Sequence, residues 1–326
     1  MTTETFPPLY SRLDPAMTAR TRRQFEQAKA TKAQSAIEYV LFAVFGATIL
    51  IAAIALVITN TATFRQVPNR VAQGIAADRV NILVMQTYKN KKSDAVDAEA
   101  LMLLSVKPST REVAVTSIPR DLWVKLGKYG ERRLGAAPAV GQSAGYPGEG
   151  AGLTADTVQE TLAQQVHAYV SFDRKDLLES VDAVGGIDVN IEQPFYEYRQ
   201  RERYTRGAHH LDGEHAVQFA LSQAILGPAN ERFAREQRQQ QVIAALAAKA
   251  SASGNLAALK FGDRTNLTND QIAWLGNTIN KQELRRITLA PYMDTAEVAT
   301  FADKGEVVRP RAGDFHEIQQ IVAGVF

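Results

Sequence analysis

Residues 114–126 read AVTSIPRDLWVKL. A short run rich in apolar and β-branched residues ends at Ile118, which marks a buried strand. Pro119 stops it, and Arg120 and Asp121 follow at once. A turn needs no arginine and a core does not want one. The stretch is therefore either a solvated strand end or a strand that holds a guanidinium at the mouth of a pocket. Similar runs precede it. Val80–Met85, Leu101–Val106 and Glu112–Ile118 are short, apolar and bounded by turn residues, and Lys107–Thr110 makes a hairpin-like turn.

Downstream the pattern changes. Glycine and proline crowd residues 135–153, which are expected to form a loop. Thr154–Gln165 has helical spacing, His167–Phe172 is a strand, and Asp173 caps a helix that Gly185 and Gly186 stop. Ile187–Ile191 is the next strand. Gly213–Gln223, Glu231–Ala250 and Asp270–Asn280 are expected helices, Ile287–Pro291 is extended, and Phe315–Phe326 closes the chain as a helix. Strands alternating with helices predict a three-layer α/β/α domain with a central mixed sheet.

The 326 residues are 45% apolar and 22% charged, with a formal charge of +2, which excludes general disorder and gives no support for a nucleic-acid partner. An anion site must be local. Cysteine is absent, so disulfide and thiolate chemistry are excluded. Val40–Ile58 runs 19 residues without a charge. At 1.5 Å per residue that nearly spans a hydrocarbon core of about 30 Å. Basic residues are dense before it (Arg12, Arg20, Arg22, Arg23, Lys29, Lys32) and sparse after it, which predicts an inside N-terminus and a single-pass cell-membrane anchor. The expected organisation is a cytoplasmic tail at 1–36, a transmembrane helix at 37–62, a linker at 63–79 and an extracytoplasmic domain at 80–326.

Two charged clusters stand out. Arg235, Arg238 and Gln239 fall at i, i+3 and i+4 near the start of a helix, where guanidinium forks suit phosphate; a solvated helix face is the plainer reading. Arg199, Arg201, Arg203 and Arg206 suit an exposed strand or hairpin, either solvated or facing anionic lipid headgroups. His167, His209, His210 and His215 show no metal-ligand spacing.

Taken in order, NILVM, LLSVKPSTREVAVTSIPRDLWV, FDRKDLLESVDAVGGIDVNI, GAHHLDGEHAVQFA and FAREQRQQQVI resemble the LytR-CpsA-Psr family of cell-envelope phosphotransferases over residues 80–250. The resemblance implies binding of a polyprenyl-pyrophosphate-linked glycan and transfer of the glycan phosphate to a peptidoglycan hydroxyl, with lipid phosphate as leaving group. Membrane lipid lies in an apolar tunnel, arginines clamp the pyrophosphate, and acidic residues hold Mg²⁺. Carried over residue by residue, Arg120 and Glu99 are catalytic, Glu99 is also the metal ligand, and Arg120, Arg133, Arg235, Arg238 and Gln239 bind pyrophosphate. The chain departs from the pattern in three places. Tyr88 stands where an aspartate approaches the metal, and Leu221 and Gln223 stand where the family has an Arg-x-Arg pair. Asp94 or Asp97 would have to supply any further carboxylate. Two functions are compatible with this set: a transferase, or a catalytically impaired relative that holds polyprenyl (pyro)phosphate or scaffolds envelope assembly.

Overall fold

The computed structural model describes residues 69–89, 94–223, 225–227, 232–254, 259, 264–279, 284–299 and 304–326. The chain divides into units 1–63 and 64–326, and the described residues belong to the second. The expected cytoplasmic tail and transmembrane helix lie outside the described residues, as does the first part of the linker. Among the described residues, no helix is long and apolar enough to cross a membrane.

In chain order the elements are α1 (Val71–Ala76), β1 (Val80–Lys89), β2 (Val96–Lys107), β3 (Glu112–Ile118), β4 (Trp123–Lys125), β5 (Glu131–Arg133), α2 (Ala137–Ser143), α3 (Glu149–Leu162), β6 (Ala168–Phe172) and α4 (Arg174–Ala183). There follow β7 (Ile187–Ile191), β8 (Phe195–Glu197), β9 (Glu202–Tyr204), β10 (Gly207–Leu211), α5 (Gly213–Leu221), β11 (Ile225–Leu226), α6 (Arg232–Ala252), α7 (Asn269–Ile279), β12 (Leu284–Ile287), β13 (Met293–Ala299), β14 (Lys304–Pro310) and α8 (His316–Ala323). The central sheet runs β12-β3-β2-β1-β6. Its inner pairs β1–β2 and β2–β3 are antiparallel, and its outer pairs β1–β6 and β12–β3 are parallel, so the sheet is mixed.

Side chains alternate across this sheet and build a core on each face. Ile82, Val170 and Phe172 pack with Leu177 of α4, Phe219 of α5, Val242 and Leu246 of α6, and Leu275 of α7. Leu83, Met85, Leu101 and Ile118 pack on the other face with Ala155 and Val158 of α3 and Ile318 of α8. Helices therefore cover both faces. The near-continuous apolar runs of β1 to β3 are what two buried faces require.

Asp173 begins α4 as a capping box. Its Oδ1 accepts from the Asp176 N–H at 2.9 Å, and Asp176 Oδ2 accepts from the Asp173 N–H at 2.9 Å. The stretch 135–153, expected as a loop, instead carries α2 and the start of α3. Its glycines act as contact surface rather than as breakers. A Cβ on Gly141 would lie 2.5 Å from the Glu149 carbonyl oxygen, and one on Gly150 2.5 Å from that of Pro138. The two helices touch backbone to backbone, and only glycine permits that approach. The extended segment expected at 287–291 is strand only to Ile287, and Ala290–Tyr292 is a 3₁₀ turn.

Candidate functional site

On the face of the sheet covered by α4, α6 and α7 lies an apolar cleft of about 120 Å³. Ile82, Val84, Met102, Leu104, Ile243 and Leu275 are among its walls. Two elements run along it and change character together. On β1 the side chains along it are Ile82, Val84 and Gln86, and strand alternation puts Tyr88 next on the same face, a span of about 20 Å at a strand's rise per residue. On α6 one strip carries Ala247, Ile243, Gln239 and Arg235 at successive i−4 steps. Apolar residues give way to amides and the amides to charge, all in one direction.

The charged end is assembled by a bulge and a turn. Gln86 pairs with Ala100 while Thr87 pairs with Ala98, so Glu99 has no cross-strand partner. The bulge sends Ala98 to the opposite core with Met85 and Leu101 and leaves Ala100 on the cleft face, with Glu99 near Tyr88 and Arg235. Asp97 is the cross-strand partner of Tyr88, and its Oδ2 lies 3.5 Å from the Tyr88 hydroxyl. Burial first, then the Asp97 carboxylate, raises the Tyr88 phenol above its ordinary pKa; Glu99 adds to the rise and Arg120 opposes it.

Arg120 follows β3 and Pro119. The Leu122 N–H donates to the Pro119 carbonyl at 3.0 Å, and the Gly135 N–H donates to the Arg120 carbonyl at 2.7 Å. A Cβ on Gly135 would meet the carbonyl oxygens of Arg120 and Ala98, each at 3.1 Å. Asp121 stands between two arginines, with its Oδ1 3.8 Å from Arg120 Nε and 3.7 Å from Arg133 Nε. Arg235 comes to the same cluster from α6. Burial, then the charge of Arg120, pushes its pKa down, while Glu99, Asp121 and Glu236 oppose that.

The residues singled out in the sequence thus divide. Arg120, Arg235 and Glu99 come together. Gln239 is buried one helical turn beyond Arg235. Arg133 sits on β5, where its Nη2 donates to the Glu306 carbonyl at 3.0 Å, and it reaches the cluster through Asp121. Arg238 corrects the expectation of a clamp residue. Its Nε donates to the Phe219 carbonyl at 2.7 Å, its Nη2 to that of Ser222 at 2.9 Å, and its guanidinium lies 5.1 Å over the Phe195 ring. Burial pushes its pKa down to about 10. It ties α6 to the end of α5. At 3.6 residues per turn Arg238 lies roughly 60° to one side of Arg235 and Gln239 roughly 40° to the other, so the two meet different neighbours.

Leu221 is buried in the core and Gln223 is exposed. The histidines are ordinary. The Asn81 N–H donates to His167 Nδ1 at 2.9 Å, and His210 and His215 each pair with an aspartate at 2.7 Å. Gln86 was missed, although it continues the spacing of Ile82 and Val84 as the first large polar residue. Among the described residues, no group of three His, Cys, Asp or Glu side chains converges on a metal site. Glu99 and Asp97 suit an ion held by one or two carboxylates together with phosphate oxygens.

The chain is 31% identical over 172 residues to the polyisoprenyl-teichoic acid–peptidoglycan teichoic acid transferase TagU of Oceanobacillus iheyensis, covering 52% of this chain and 50% of the relative. The corresponding Bacillus mycoides protein is 27% identical over 206 residues, 60% of this chain and 63% of the relative. The chain thus matches half to three-fifths of the length of these relatives. Among solved structures, B. subtilis TagV superposes with a TM-score of 0.60 at 21% identity, over 75% of this chain and 96% of that one. The protein YwtF (TagT) with bound octaprenyl pyrophosphate lipid superposes with a TM-score of 0.55 at 19% identity, over 75% and 89%. These two share the mixed α/β fold. The model of the LytR_cpsA_psr family matches residues 52–302, and with three-quarters of its length matched the chain belongs to that family.

Proposed function

We propose that this protein takes a polyprenyl-pyrophosphate-linked glycan into the apolar cleft, with the pyrophosphate at Arg120 and Arg235, and transfers the glycan phosphate to a hydroxyl of peptidoglycan. The observation that carries the reading is the gradient along β1 and α6 from apolar wall to amides to paired guanidinium groups, which matches a prenyl chain ending in phosphate. The acceptor oxygen forms a bond to the glycan-side phosphorus and loses its proton. The bond from that phosphorus to the bridging oxygen breaks, and prenyl phosphate leaves. Arg120 and Arg235 meet the charge that gathers on the phosphate oxygens, in a partly buried site where it is weakly screened. Mg²⁺, when bound, neutralises further phosphate charge. Glu99 would hold it, with Asp97 beside it. The catalytic domain works on the outer face of the cell membrane, anchored by the single apolar segment before it.

A second reading keeps the lipid site without turnover. It is favoured by the position of Tyr88 between Asp97, Glu99 and Arg120, and by Leu221 packing into the core. The full chain in detergent, given a prenyl-pyrophosphate glycan donor, peptidoglycan and Mg²⁺, separates the two. Turnover that Arg120→Glu abolishes supports the transferase. Lipid retention without turnover supports the holding protein, and absence of both defeats both readings.

A further inference from the structure

Gln86 and Gln239 are 3% and 4% exposed, and neither Nε2 has a hydrogen-bond partner among the described residues. Both line one small cavity walled by Val84, Met102, Phe172 and Ala220. Its volume of about 10 Å³ admits about one oxygen-sized atom. The next residue on α6 behaves differently. Gln240 donates its Nε2 to Ser117 Oγ at 2.7 Å and to the Ile287 carbonyl at 3.3 Å. A buried donor left without an acceptor is destabilising, so two such residues lining one hole call for an oxygen from outside the chain.

The hole lies in series between the apolar cleft and the guanidinium cluster. It shares Val84, Met102, Phe172 and Ile243 with the cleft, and Arg235 is one turn from Gln239. An oxygen lodged there has hydrocarbon on one side and positive charge on the other. That is the junction between a prenyl chain and its first phosphate. We propose that Gln86, with Gln239, binds an oxygen of the prenyl-bearing phosphate. It supplies a donor that Leu221 and Gln223 do not. The inference rests on the reading that the cleft holds a prenyl phosphate.

The test uses the full chain in detergent with farnesyl monophosphate, farnesyl pyrophosphate and farnesol as probes. Gln86→Met keeps the shape and removes the donor. Both phosphates are expected to bind about tenfold more weakly, the worth of one hydrogen bond to a charged group, with farnesol unchanged. The ligand-free melting temperature is expected to hold or rise, because an unpaired buried donor has been removed. In protein labelled with ¹⁵N-glutamine, two side-chain amide signals should shift with farnesyl monophosphate and not with farnesol, and one of them should be missing from the variant. Unchanged phosphate affinity together with a lower ligand-free melting temperature would assign the hole to a structural water and overturn the inference. Where wild type binds the phosphates, Arg120→Glu loses them and Gln86→Met matches wild type, the inference alone fails. Where wild type binds neither phosphate, the underlying reading fails with it.

Discussion

Arg120 shows how a charged side chain is fixed at a strand end. Pro119 ends β3, the Gly135 N–H holds the Arg120 carbonyl, and Asp121 lies between Arg120 and Arg133. The guanidinium is thus oriented before any ligand arrives, which lowers the entropy cost of binding a phosphate. His167 illustrates the opposite use of a titratable group. It is buried, takes the Asn81 N–H on Nδ1, and its pKa is lowered by burial, with Arg70 and Arg79 adding to that. The folded state therefore prefers the neutral ring, and below the ordinary imidazole pKa of about 6.5 the unfolded chain binds more protons. Stability is expected to be full above that pH and to fall as pH drops through the window below it. Melting temperature against pH measures this, and replacement of His167 by glutamine should remove that part of the slope.

At the scale of elements, the bulge in β2 determines which acidic residues meet the cleft. Without it, strict alternation would place Ala98, rather than Glu99, on the face of Ala100. The pairing of α2 with α3 depends on glycine in the same geometric sense. Gly150→Ala places a methyl group against the Pro138 carbonyl of α2, a backbone atom that cannot step aside. Overpacking of this kind costs about 1–3 kcal/mol. For a domain of this size that is a drop of several degrees in melting temperature, at about 2–4 °C per kcal/mol. Calorimetry would measure it, and an unchanged melting temperature would mean that α2 and α3 do not touch.

For the molecule as a whole, the charge complement of the cleft limits the rate of the proposed chemistry. Tyr88 occupies the space beside Asp97 and Glu99, so Tyr88→Asp is expected to strengthen Mg²⁺ binding in the presence of pyrophosphate. Combined with Gln223→Arg, at an exposed position, it should raise turnover. Leu221→Arg differs. The leucine is 6% exposed within the core, and a buried guanidinium there should lower stability and mask any gain. Initial rates and melting temperatures of the three variants check this. The topology makes a further prediction: a reporter fused after Phe326 should be active only outside the cytoplasm, and activity inside would overturn the proposed location.

Much of this was legible along the chain. The strand runs, the Asp173 cap, the Gly-Gly stop and the SIPRD boundary are local signals, written within a few residues of where they act. So is the order of motifs that carries the family. The site was legible only in part. Arg120, Glu99 and Arg235 lie 21 and 115 positions apart in sequence, taken in pairs about Arg120, and only the sheet and α6 bring them together. The role of Arg238 as an internal tie depended on carbonyls of α5, and the helices within 135–153 depended on glycine as a packing surface. Neither is visible in local propensity. The pairing of Gln86 with Gln239 required two elements, 153 residues apart, to face one hole. Local chemistry determined the elements and the kind of ligand, and tertiary packing decided which side chains were free to meet it, because partners for buried polar groups come from wherever the fold brings oxygen and nitrogen together.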